Sequence, residues 1–112
     1  MPAYAVAHLH NVDVNAEIIE YLERIDATLA PFGGRFIVHG GRQLVVEGPA
    51  NGNVIVIEFP DYGAAEGWYQ SPEYLEILPL RTNNATSIVM LAEYCGSDHI
   101  ATDGLATSVS HA

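Results

Sequence analysis

Four arginines, no lysine and fourteen acidic side chains are spread over 112 residues, so each cation in this sequence invites an explanation. Arg81 follows Tyr74 by seven residues, or two helical turns. A helix that continues through Pro79 would return its guanidinium to the buried stripe, where a cation needs an anion. Two readings stay open: an internal ion pair with Glu58 that fixes helix to sheet, or a pocket arginine that binds a substrate carboxylate. Arg35 is the other candidate anchor. His39 stands beside Gly40-Gly41, where a bulge can aim an imidazole into a cavity as general acid or base near neutral pH. Its alternative is a hydrogen-bonded histidine at a strand edge. Trp68, Tyr69, Tyr74 and His8 are the candidate ligand contacts, although aromatics at helical spacing also serve as plain core. His8 and His10 have a spacing that can chelate a metal, but a third ligand would have to come from His39 or Glu58 and nothing in the sequence fixes it, so no metal is expected. Ser71 is explained as a helix cap, and no elbow motif or P-loop lysine supports a nucleophilic serine or a phosphate loop.

These side chains need elements to hold them. Tyr4 to Leu9 reads as a strand with the small residues Ala5 and Ala7 on one face, which implies close packing there. Asp13 is a plausible N-cap for a helix whose stripe is Ile18, Leu22, Ile25 and Leu29, with Glu20 and Arg24 spaced as an i,i+4 pair. Pro31 and Gly33-Gly34 close it. Arg35 to Val38 and Leu44 to Glu47 read as two parts of one strand around His39-Gly40-Gly41. Turn residues Gly48 to Gly52 lead to Val54 to Phe59, a β-branched run expected to be central and buried on both faces. Asp61 caps a short helix bearing Trp68 and Tyr69. Ser71-Pro72-Glu73 starts another helix, which Pro79 should kink or end. Thr86 to Tyr94 is the last strand. The order is that of a ferredoxin-like βαββαβ domain, α+β, with a four-stranded antiparallel sheet and helices on one face. Its uncovered face is expected to be buried against a second copy of the chain. The domain should span residues 1–95, and residues 96–112, without apolar period, should form a mobile tail.

Composition excludes several functions. A formal charge of −10 repels phosphate backbones and anionic lipid, so neither nucleic acid nor membrane is an expected partner. No basic region precedes an apolar run at the start, and no stretch is long enough to span a bilayer, so a soluble cytoplasmic protein is expected. Cys95 is the single cysteine, which rules out an internal disulfide and is expected to be a buried, inert thiol.

Four separated motifs then occur in order: Phe32-Gly-Gly-Arg-Phe-Ile-Val-His-Gly-Gly41, Val56-Ile-Glu-Phe-Pro60, Trp68-Tyr-Gln-Ser-Pro-Glu-Tyr74 and Pro79-Leu-Arg81. Over about residues 3–94 the chain resembles the domain of unknown function 1330 family. The resemblance implies a dimeric α+β barrel, in a superfamily that also holds cofactor-free monooxygenases, muconolactone isomerase-like proteins and small cyclases and decarboxylases. Its pockets commonly lie between sheet and helices. It implies no particular reaction. The expectation is a cofactor-independent enzyme acting on a small aromatic or carboxylated metabolite, with His39 as acid/base, Arg35 or Arg81 as anchor, and Trp68 and Tyr69 as walls. The alternative is a non-catalytic homodimeric binding or interaction module in which Arg81 and Glu58 pair.

Overall fold

A computed structural model describes residues 1–48 and 52–105. Four strands form one antiparallel sheet: β1 (Ala3–His10), β2 (Arg35–Val38), β3 (Asn53–Phe59) and β4 (Thr86–Glu93), in the spatial order β2-β3-β1-β4. Helices α1 (Ala16–Leu29), α2 (Tyr62–Tyr69) and α3 (Pro72–Thr82) supply the remainder of the fold, which is the ferredoxin-like α+β arrangement. Every neighbouring pair is antiparallel, and the registers Ala5 to Ile57 and Ala5 to Leu91 give the sheet two distinct faces. Ala3, Ala5, Ile57 and Phe59 face the helices and are buried with Ile25, Leu29, Trp68, Tyr74 and Ile77.

The α1 stripe lies slightly to one side of its sequence reading. Ile18, Tyr21, Ile25, Thr28 and Leu29 are buried, whereas Leu22 is 47% exposed. Three then four residues separate Ile18, Tyr21 and Ile25, so the tyrosine satisfies the helical period as well as Leu22 does. The cap is Asn15 and not Asp13: the Asn15 carbonyl oxygen accepts from the Glu17 and Ile18 amides. Its amide donates to Asn84 Oδ1 at 2.6 Å, tying the start of α1 to the end of α3. Arg24 bonds Glu20 as expected and also Glu76 on α3. Past α1, Gly33 takes the left-handed conformation, and Gly34 is needed for space, since a Cβ there would lie 2.7 Å from the Phe59 ring.

Four further expectations change. Pro79 does not end α3, which continues to Thr82; the carbonyl that loses its partner belongs to Leu75, an exposed residue. Residues 44–47 form no strand. Gln43 takes their place, its side-chain amide donating to Gly52 O and accepting from Val54 N, both at 2.9 Å. β3 is buried on one face only: Ile57 and Phe59 are covered, while Val54 is 39% exposed. Cys95 is exposed, since it lies beyond the last strand. Asp61 and Ser71 cap α2 and α3 as read. The turn residues 49–51 and the tail residues 106–112 lie outside the described residues, and Ala101–Asp103 forms a single 3-10 turn.

Candidate ligand-binding site

Ala5, Ala7 and Leu9 of β1 form the sheet wall of a cleft of about 340 Å³ beneath α1, with Ile18, Tyr21 and Ile25 opposite. Alanine side chains on the strand leave the space that larger ones would fill, which is the role of the small-residue face. The lining is almost wholly apolar, and its volume lies at the lower end of small-molecule sites. Exposed His39, Gly40 and Asn53 form its mouth, and nearly buried Trp68, Tyr21 and Arg81 its inner end.

His39 reaches the mouth through an irregularity in β2. Phe36 pairs with Ile57 and Val38 with Val56, so one extra residue, Ile37, sits between adjacent partners. Unbroken alternation would send His39 to the opposite face from Phe36. With the bulge, the two rings stack at 4.4 Å and share the cleft side.

Arg81 is 4% exposed. Its guanidinium donates to Ser87 Oγ at 2.5 Å and makes a long 3.5 Å contact to the Tyr74 hydroxyl, and it lies 5.9 Å from the centre of the Tyr21 ring. Among the described residues no carboxylate lies within ion-pair distance of it. Burial opposes its charge, and the Tyr74 and Tyr21 phenols more than offset this, leaving its pKa above the ordinary value. The phenols themselves are pushed up, first by burial, so they remain neutral. A buried cation without a counter-ion, facing an apolar cleft, is a position that an anionic ligand group would satisfy.

The sequence-selected residues thus separate. His39, Arg81 and Trp68 line the cleft. Arg35 and Glu58 do not: they are directly opposite each other on β2 and β3, and Arg35 Nε and Nη2 both donate to Glu58 Oε1, at 3.0 and 2.7 Å. Their register places them on the face away from the helices, which corrects both the Arg81–Glu58 pairing and the use of Arg35 as an anchor. His8 is on that outer face too, between Val54 and Ile88. Tyr74 packs behind Trp68 at 4.1 Å without lining the cleft, and Tyr69 borders a separate shallow depression beside Arg81 and Ser87. The Trp68 indole donates to Thr28 Oγ1 at 3.0 Å, so Trp68 offers the cleft only its ring. Tyr21, Phe36 and Ser87 were not singled out from sequence; the helical period was the signal for Tyr21. No group of three or more histidine, cysteine or carboxylate side chains suited to a metal occurs among the described residues, and none of their helices is long and apolar enough to cross a membrane.

Fold and site together define a ferredoxin-like α+β protein with a ligand-sized cleft between helices and sheet. The chain belongs to the family described as domain of unknown function (DUF1330), which matches residues 2–95. Solved structures share its fold. One is RPA0582 of Rhodopseudomonas palustris, a protein of unknown function, with 17% identity, TM-score 0.64 and coverage of 85% of this chain and 83% of that one. Another is a dimeric ferredoxin-like protein from Jannaschia sp. CCS1, at 12% identity and TM-score 0.63 over 84% and 100% of the two chains. A third is SnoaB, a cofactor-independent oxygenase of Streptomyces nogalater, at 19% identity and TM-score 0.57 over 89% and 97%. No curated protein sequence matches this chain.

Proposed function

We propose that the protein is a homodimeric, cofactor-independent enzyme whose cleft takes a small, largely apolar metabolite by an anionic group, with Arg81 as anchor and His39 as acid/base at the mouth. The observation that carries this is Arg81: it is almost fully buried, without a carboxylate partner among the described residues, at the inner end of an apolar cleft. Trp68 and Ile25 would hold the apolar body, and the anion would orient it so that a proton faces the His39 imidazole. The cofactor-independent oxygenase SnoaB, which shares the fold, adds support for this class of chemistry.

A binding module without turnover is the second reading. One observation favours it: among the described residues His39 is held by ring stacking alone, with no hydrogen bond to orient its imidazole.

Native mass spectrometry of the purified protein, followed by turnover assays on whatever small molecule it retains, tests the proposal. An anionic aromatic ligand that is consumed by the wild type, and bound but not consumed by His39→Gln, is the expected result. A retained ligand that the wild type leaves unchanged under air would favour the binding module. A cationic ligand would contradict the role of Arg81.

A further inference from the structure

The direction of the hydroxyl protons at the inner end of the cleft decides what it can bind. The Tyr21 and Tyr74 hydroxyl oxygens lie 2.8 Å apart, and distance alone leaves the donor open. Arg81 bears on it. A guanidinium has donors and no acceptor, so its contacts with the Tyr74 hydroxyl and Ser87 Oγ both run outward from Arg81. Tyr74 is 1% exposed and does not line the cleft, so Tyr21 is the acceptor in reach of its proton among the described residues. Buried hydroxyls are kept hydrogen-bonded, which favours Tyr74 as the donor to Tyr21. The Tyr21 proton is left for the cleft that Tyr21 lines. Guanidinium, Tyr74 and Tyr21 form one network, with Arg81 beside both phenols, in which the bonds polarise one another.

We infer that Tyr21 contacts the ligand and, with Arg81, makes the inner end of the cleft a donor-only oxyanion site. It would take the ionised oxygen of a small aromatic molecule, a carboxylate or a phenolate, and discriminate against the neutral form. This rests on reading the cleft as a ligand site. Tyr21 from α1 and Arg81 from α3 line the inner end, with Tyr74 of α3 and Ser87 of β4 bonded to Arg81 behind them, Tyr69 of α2 beside Tyr74 and, at the far end of the cleft, His39 from β2. Burial holds Tyr21 and Tyr74 above the ordinary phenol range, which keeps both as donors at neutral pH. A protonated ligand would set its own O–H against donors and leave that proton unmatched.

Three probes of similar shape separate the claims: 4-nitrophenol, whose absorbance reports its ionisation, 4-nitrobenzoate, and the neutral ether 4-nitroanisole. Bound nitrophenol should show the phenolate spectrum at a pH below its solution pKa, and nitroanisole should bind roughly tenfold or more weakly than either anion. Tyr21→Phe should weaken both anions by about tenfold and leave nitroanisole unchanged, returning the bound nitrophenol toward its solution pKa. Equal affinity for all three, with a neutral nitrophenol spectrum, overturns the oxyanion site while keeping the ligand cleft. Anion binding that Tyr21→Phe leaves intact overturns the part given to Tyr21. Failure of all three to bind overturns the ligand cleft and this inference with it. Should Tyr21→Phe not fold, the wild-type spectrum and the phenol-to-ether ratio still decide the donor-only claim.

Discussion

Arg81 and Arg35 carry the same group under opposite physical conditions. In the single chain the Arg35 side chain is 71% exposed and its bond to Glu58 is solvated, so Arg35→Ala should cost the monomer only about 0–1 kcal/mol in urea unfolding. Arg81 is buried with phenols and a hydroxyl as partners but no carboxylate, so no ion pair is broken when it is replaced in the empty protein. Arg81→Met, of similar length and apolar, should therefore melt at or above the wild-type temperature while losing affinity for anionic ligands. A loss of several degrees would mean that Arg81 holds the fold together, and its assignment as an anchor would fail. The phenols beside it carry a pH signature. Their folded pKa values lie above the ordinary 10.0, so the stability they contribute is complete below that pH. It is lost as pH rises from there toward the folded values, because the unfolded chain ionises first. Urea titrations from about pH 9 to about pH 11 should show this decline, and Tyr21→Phe should flatten it.

At the scale of elements, the cleft depends on how β2 ends. The bulge at Ile37 turns His39 inward, Gly40 with φ 73° leads the chain out of the sheet, and Gln43 then pairs with β3 as a strand's backbone would. Gln43→Ala should speed amide exchange at Val54 and lower stability by about 1 kcal/mol or less, because water can replace the lost amide at this exposed position. Unchanged exchange at Val54 would show that the Gln43 side chain is not holding the mouth of the cleft. The sequence revealed much of this frame and little of the pairing within it. Caps at Asp61 and Ser71, the glycine closure of α1 and the order of strands rest on local chemistry, which single residues announce. Leu44 to Glu47 carries strand composition, yet its pairing is taken by a side chain nine and eleven residues from its two partners, and no local pattern encodes that. Arg81 was legible as buried from its spacing to Tyr74. Its lack of a carboxylate was not, because the registry that gives Glu58 to Arg35 is set by β2 meeting β3.

For the whole molecule, the sheet has one face too many for a lone chain. Away from the helices, Val38, Val54, Ile88 and Met90 are 45%, 39%, 56% and 60% exposed, and Val6 lies between Val56 and Met90 in the register. A contiguous apolar sheet face of this kind marks an association surface, and two copies facing each other would bury it. The net charge of −10 works against that pairing, since two copies together carry a net charge of −20. Screening shortens the reach of this repulsion to about 8 Å at physiological ionic strength, while the apolar contact is untouched. A homodimer paired through this face should accordingly dissociate more readily at low salt and tighten as salt rises, as sedimentation or light scattering at micromolar concentration would show. Met90→Glu sets an unpaired carboxylate in the middle of the face and should yield a monomer that is folded, because Met90 is not part of the core between sheet and helices. Circular dichroism would establish the fold of the variant, and light scattering its mass. A wild type that is monomeric at micromolar concentration in high salt, or a Met90→Glu protein with undiminished dimer mass, would place the interface elsewhere and leave this face without an occupant.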